Sequence, residues 1–548
     1  MSAQITSSPN ESVDLNARLE ALENRLSKIE TFLDYKLKAN LGKSEHMEAA
    51  GKEAKPTVTS AQAESRLGEQ VFAWISSIIV LFLVVFIMIF FQNQEKPGLA
   101  IIAGYAVTGV VLLICQLIKS EFPRQVYLLR ITSHLLLFYV TLWLYFLGDA
   151  PLVHSLFAGL ILISLPVAYL LYFSFRQNSQ ALVTLALTMV IIAAVLSGQW
   201  FVMLTLLSLT AATGLFLYYL KGWSALFYFT IFSVYFAHLE WMLGNPLAGG
   251  NTLQLVENAH GNLFYLFSYG FIFAMAAIIK PRTGFRQIVV TTSTIWNAIL
   301  FASLLMLNVF RFYPETYWSI FAAITVFSLA YSALLKIREA HIFITSFYAV
   351  VSFVALSALL YGLAGFPGAY LWLVLQSLLV VSIALWFRSP LIVIANTLMF
   401  AGILVFYLIQ GDPANSTNLA FAFVAILTAR FINWKKERLN LKTESIRNTY
   451  LIITFFMSLF AAYHLVPAKF VTIVWVGVAG LFFVLSYVLK NNKYRWIAFA
   501  TLVASVIYLF FFQLKSMELG FRILAFAVIA IITLVTSFYY SKRSRNNE

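Results

Sequence analysis

Cysteine is almost missing from this 548-residue chain, where Cys115 stands alone. One thiol permits neither an intrachain disulfide nor a cysteine-based metal site. Cys115 lies in an apolar run and reads as a small core residue. Charge is scarce too, at 11% of residues, against about 25% in ordinary soluble domains. There is no P-loop, so the chain carries no ATP motor of its own. No stretch pairs acidic residues in the middle of an apolar run, as cation-coupled pumps often require. No apolar run is broken at its midpoint by a Gly/Pro pair, and Pro166 is the lone kink candidate. No metal motif is present and no cofactor is expected.

What is there is oil. Hydrophobic residues make up 61% of the chain and aromatics 16%. A hydrocarbon core about 30 Å thick needs roughly 20 apolar residues per helical span. Such runs follow one another from residue 71. A β-barrel is excluded, because its strands would alternate in short segments. The expected fold class is therefore all-α, a polytopic integral membrane helix bundle of about 18 spans with an N-terminal cytoplasmic coiled-coil helix. The spans read as 71–91, 98–118, 129–147, 152–174, 180–196, 199–220, 223–243, 262–280, 287–308, 315–335, 341–363, 368–387, 389–410, 417–434, 448–466, 469–490, 493–514 and 519–540. The breaks carry turn chemistry, as in "SGQ", "KGW", "GFPG", "RSP" and "KNNK". The first 70 residues are polar, so no cleavable signal peptide is expected.

Charge then orients the spans. Alternate loops hold 23 Lys and Arg on one side and five on the other (Lys96, Arg311, Lys469, Lys515 and Arg522), with nine more before the first span. That asymmetry is the positive-inside signature. An even number of spans puts both termini in the cytoplasm of a cell (inner) membrane protein. The net charge of +14 becomes a rim facing anionic lipid, and nucleic acid is not an expected partner.

Ahead of the oil sits "DLNARLEALENRLSKIETFLDYKL". Leu15, Leu19, Leu22, Leu26, Ile29 and Leu33 follow the 4-3 spacing of an a/d seam. Arg18 and Arg25 fall at g, and Glu23 and Glu30 at the e positions five residues on, a pattern suited to parallel self-association or pairing with another coiled coil. Three heptads are marginal alone, but tethering on a membrane raises their effective concentration. The domains read as 1–39 with the coiled coil at about 13–37, a polar linker at 40–66, a transmembrane domain at 67–541 and a basic tail at 542–548. The hairpins "FSLAYSALLKIREAHIFI" and "FVLSYVLKNNKYRWIAF" look related. Two spans plus short loops impose a similar period without any duplication, however, so both origins stay open.

The stretch from "LEALENRLSKIE" through "ESRLGEQVFAWISSIIV" to "FQNQEKPGLAIIAGYAVTG" resembles bacterial membrane proteins of the domain-of-unknown-function 2339 family. Glu64, Gly68, Trp74, Pro97 and Gly104 fit its pattern, while Ser76 and Ser77 stand where glycine is expected. The resemblance covers mainly residues 15–150. It implies a coiled coil, a linker and many spans, and it implies no activity.

Candidate functional residues fall in two groups. His134, Asn297, Asn396 and His464 lie within apolar spans, where unpaired polar groups are costly, so they could line a substrate path. Asn308 and Gln376 share that setting, and all of them could equally be glue between helices. Toward the outer side lie Asp149, His154, His238, Glu240, Glu257 and His260. His238 and Glu240 are two residues apart and face different sides of a helix. Their spacing fits no metal motif, and an interfacial anchor beside Trp241 suits them better. The expected function is a structural or partner-organising membrane component that self-associates through its coiled coil. A transporter or flippase of an amphipathic, lipid-linked substrate is the alternative, and an outer-face transferase the weaker one.

Overall fold

In hydrocarbon a backbone must satisfy its own hydrogen bonds, so segments this apolar fold as helices. A computed structural model describes residues 27, 60–147, 151–246, 255–259, 261–412, 415–435, 437, 439, 443–513, 520, 523, 526–528, 530 and 531. Among the described residues there is helix and no strand. The coiled-coil core positions Leu15, Leu19, Leu22, Leu26, Ile29 and Leu33 lie outside them. So do Asp149, His260, the tail and most of the stretch read as the last span.

The helices are α1 (Ser60–Asn93), α2 (Pro97–Leu117), α3 (Pro123–Leu142), α4 (Leu156–Gln177), α5 (Gln180–Leu196), α6 (Trp200–Lys221), α7 (Ser224–Met242), α8 (Asn262–Ala274), α9 (Gln287–Phe312), α10 (Tyr317–Ile337), α11 (Ile342–Ala364), α12 (Ala369–Phe387), α13 (Pro390–Gln410), α14 (Thr417–Trp434), α15 (Thr443–Leu465), α16 (Val471–Val488) and α17 (Asn492–Tyr508). By length and composition, 14 of these apolar segments can cross a membrane. That is fewer than the eighteen spans read from the sequence. α5 and the stretch Asn262–Ala277 are apolar but short. α7 is long enough, yet its Tyr, His and Glu side chains dilute its apolarity.

Several boundaries shift for physical reasons. α1 begins at Ser60, so helical backbone reaches into the stretch 60–66 that the sequence reading treats as linker. α3 starts at Pro123, ahead of the expected 129, because the fixed φ of proline suits the first helical turn. α8 gives way to a 3-10 turn at Met275–Ala277, where the Tyr331 hydroxyl donates to the Ala274 carbonyl at 2.6 Å. After α17 the chain widens into a π-turn at Leu509–Gln513. Gln513 there donates to the Ala468 carbonyl and accepts from the Thr472 hydroxyl.

The chain divides into two compact units, Met1–Pro166 and Val167–Glu548, and the division falls directly after the proline inside α4. In the first unit α1, α2 and α3 pack mutually around Val84, Met88, Ala100, Ile101, Leu136 and Val140. Gly104 permits that approach: a Cβ there would stand 2.7 Å from Val140 Cγ2 and 3.1 Å from Met88 Sδ. Cys115 is buried beside Val111 and Val126. In the second unit one core gathers on α6–α9 and another on α12–α15.

Around these apolar cores the surface is apolar too, and several amides are buried. Phe157, Phe310 and Phe511 are more than 70% exposed, whereas Asn262, Asn308 and Asn418 are fully buried. Apolar side chains gain little by leaving lipid, so packing and hydrogen bonds between helices must hold the bundle.

One turn recurs. Asn178, Glu339, Arg388 and Lys490 each take a left-handed conformation at a helix C-terminus. The following N–H reaches back five residues in all four, from Ser179 to Ser174, Ala340 to Leu335, Ser389 to Ala384 and Asn491 to Ser486, at 2.9–3.2 Å. This capping geometry satisfies carbonyls that the helix end leaves open. Both hairpins singled out by their sequence use it, but so do others that were not, the Glu95 turn after α1 included. The shared turn therefore follows from capping physics and carries no argument for duplication. The most extensively packed neighbours (α10 with α11, α14 with α15, α16 with α17, α2 with α3, α6 with α7) are all joined by turns on the Lys/Arg-rich side.

Candidate functional site

α7 sits at the centre of its core, with eleven of its nineteen residues buried. One face carries a polar seam at seven-residue spacing. Near its start the Tyr228 hydroxyl meets Thr292 on α9. One heptad on, the Tyr235 hydroxyl donates to Asn297 Oδ1 at 2.6 Å, and Asn297 Nδ2 donates to the Gly270 carbonyl of α8 at 3.0 Å. Three residues further, His238 Nε2–H donates to Asn262 Oδ1 at 2.5 Å, and its ring packs edge-on against Tyr269 and Trp241. At the end, Asn308 Nδ2 lies 3.4 Å from Met242 Sδ. The seam is not fully satisfied: His238 Nδ1, Asn262 Nδ2, Asn308 Oδ1 and the Tyr269 hydroxyl are buried without a hydrogen-bond partner. Each such group costs about 1–3 kcal/mol.

Beside the seam lie two apolar cavities that share Ser233 and Phe236. One, of about 410 Å³, runs between α7 and α9 and includes Leu239, Leu304 and Leu307 in its wall. The other, of about 320 Å³, runs between α5 and α7, where Ile192, Val195 and Glu240 bound it. Both fall in the size range of small-molecule sites, about 300–1,000 Å³. Their linings suit a hydrocarbon chain, and Glu240, 4% exposed, sets one carboxylate in the second wall.

No family model, no curated protein and no solved structure matches this chain. The resemblance of residues 15–150 thus rests on those residues alone, and function must be argued from the geometry.

Asn297, Asn396 and His464, all in the second unit, are not gathered into one of these cavities. His134 is buried in α3, with Nδ1 2.5 Å from the Arg130 carbonyl of its own helix. Asn297 belongs to the α7 seam. Asn396 on α13 donates to Ser377 Oγ of α12 at 2.8 Å and to the Tyr450 hydroxyl of α15 at 3.0 Å. The space beside Asn396 is about 10 Å³, room for one water at most. His464 Nδ1 lies 3.1 Å from the Phe460 carbonyl, and its ring lies tilted 4.3 Å from the Phe460 ring. Gln376 bonds the Phe353 carbonyl and Ser357 on α11.

Of the outer-face group, His154 and Glu257 are exposed, while His238 and Glu240 are buried in different surroundings. The divergence of His238 and Glu240 follows from their spacing. Their burial does not fit the interfacial anchor expected beside Trp241, itself 6% exposed, because neighbouring helices cover this end of α7. Among the described residues no three His, Cys, Asp or Glu side chains form a group able to hold a metal ion. Sequence reasoning missed Tyr235, Asn262, Ser377 and Tyr450. For Tyr235 a signal existed, since 228, 235, 238 and 242 share one face of a helix.

Proposed function

We propose that this protein is a structural, partner-organising component of the cell (inner) membrane, with eighteen spans and both termini in the cytoplasm. It self-associates through the coiled coil at 13–37 and belongs with the family that residues 15–150 resemble. The observation that supports this reading best is how its intramembrane polar groups are used. Asn297, Gln376 and Asn396 bond neighbouring helices, and the space beside Asn396 is too small for a substrate. Such groups fix helix positions, which is what a scaffold requires. Deleting residues 11–40 tests it. In mild detergent, the particle mass by light scattering should fall from a multimer to a single chain, and an unchanged multimer would count against the coiled coil.

The two cavities beside α7 favour one second reading, a flippase or transporter of an amphipathic substrate. Their walls are apolar, and one ends near a carboxylate. Ser233→Trp would fill both at once, since Ser233 lines each. If the protein moves lipid, fluorescent-lipid scrambling in proteoliposomes should drop to the protein-free level with oligomer size intact. A scaffold shows no protein-dependent scrambling before or after the change. The outer-face transferase gains no support from the lone, exposed His154 and Glu257.

A further inference from the structure

Where α14, α15 and α17 converge on the Lys/Arg-rich side, cations outnumber anions. α14 contributes Arg430 and Asn433, α15 contributes Glu444, Arg447 and Asn448, and α17 contributes Lys493 and Tyr494. Glu444 is the one carboxylate among these side chains, and two cations share it: Lys493 Nζ at 2.6 Å and Arg447 Nη2 at 4.0 Å. Lys493 also donates to Asn448 Oδ1 at 2.7 Å. Arg447 Nη1 donates to Asn433 Oδ1. Its Nε–H is buried without a hydrogen-bond partner, although the side chain as a whole is 16% exposed. The Arg430 and Arg447 guanidiniums both lie within electrostatic reach of the hydroxyl of Tyr494, which is buried.

Lys493 and Arg447 share one carboxylate, and Arg430 shares the reach of Tyr494 with Arg447, which leaves a local excess of positive charge and an arginine N–H with nothing to bond. Half-buried cations are stable when an anion completes their hydrogen bonding. The planar guanidinium fork matches two phosphate oxygens. The surroundings identify where that phosphate comes from. Trp434 and Trp496, 65% and 72% exposed, stand at the same helix ends, and Lys435 Nζ sits 4.2 Å over the Trp434 ring. Exposed tryptophan marks headgroup depth. The connecting loop adds Lys436, Arg438 and Lys442 in sequence. Basic pockets between helices at that depth suit anionic lipid headgroups.

We propose that Arg430, Arg447 and Lys493 form a binding site for the phosphate of an anionic phospholipid, drawn from the leaflet on the basic side. This goes beyond the scaffold reading and is independent of the coiled coil.

Native mass spectrometry of the full-length protein, with phosphatidylglycerol or phosphatidylcholine added to the detergent, tests the site. The wild type should retain phosphatidylglycerol over phosphatidylcholine. Arg447→Gln should weaken that retention about tenfold, equivalent to about 1.4 kcal/mol. Arg447→Lys should restore part of it, because charge returns without the fork. Lys493→Gln, at a half-exposed position, provides a second variant should Arg447→Gln fail to fold, and it should weaken retention in the same direction. Equal retention of both lipids by the wild type overturns the proposal, as does wild-type retention by the folded variants. Displacement of the lipid by inorganic phosphate alone would assign the site to a soluble phosphate and overturn the lipid source.

Discussion

Gly222→Ala should be the most damaging single-methyl change among the turns, lowering stability by about 3 kcal/mol. Two penalties add there. Gly222 caps α6 at φ +66°, a conformation that costs an L-residue about 1–2 kcal/mol. A Cβ would also stand 2.2 Å from the Thr283 carbonyl oxygen. That oxygen belongs to backbone held in place by its neighbour. Arg282 N–H donates to the Tyr219 carbonyl at 2.9 Å, and the Arg282 guanidinium lies over the Tyr219 ring at 5.1 Å. Overpacking of this kind costs about 1–3 kcal/mol. Gly198 supplies the control. Its φ is +65°, but a Cβ there meets nothing within 4 Å. Gly198→Ala should therefore cost only the conformational share. Thermal unfolding in mild detergent, followed by far-UV circular dichroism, should show Gly222→Ala losing at least twice as much melting temperature as Gly198→Ala. Equal losses would mean that the close approach of Thr283 is not a constraint.

Those two glycines also show what a sequence makes legible. "SGQ" and "KGW" mark both turns, because a break of two or three residues between apolar runs must close a helical hairpin. The same reasoning places seventeen helices close to where they lie, since length and apolarity are local properties. The 3-10 end of α8 was illegible, because it depends on Tyr331, more than fifty residues downstream. α7 is the instructive failure. Its sequence reads as a span with an outer end at the interface, yet its neighbours cover that end from His238 to Met242, and such cover is a property of the assembled bundle. The divergence of His238 and Glu240 was readable from a spacing of two. The Asn262 partner of His238 and the cavity beside Glu240 were not, because both arise between elements.

Asn297 decides between glue and substrate path. Its side chain ties three helices, accepting from Tyr235 on α7 and donating to the Gly270 carbonyl on α8. Asn297→Ala leaves the Tyr235 hydroxyl, on a residue 2% exposed, without that partner. The cost of such an orphan is about 1–3 kcal/mol. Hydrogen bonds between membrane helices average only about 0.6 kcal/mol, with a maximum near 1.7, because the alternative state also finds partners. The Gly270 carbonyl loses little, since α8 supplies its helical hydrogen bond. The orphaned hydroxyl therefore dominates, and a loss of about 2 kcal/mol is expected. Tyr235→Phe removes the other half of the pair and should cost less, because Asn297 keeps its bond to Gly270. The double variant should be no less stable than Asn297→Ala alone, since phenylalanine leaves no hydroxyl to strand. A double-mutant cycle on melting temperatures reads that coupling directly. Additive losses would show that the pair does not act as a unit. A folded Asn297→Ala protein with unchanged stability but altered lipid scrambling would move Asn297 from the frame of the bundle to the wall of a path.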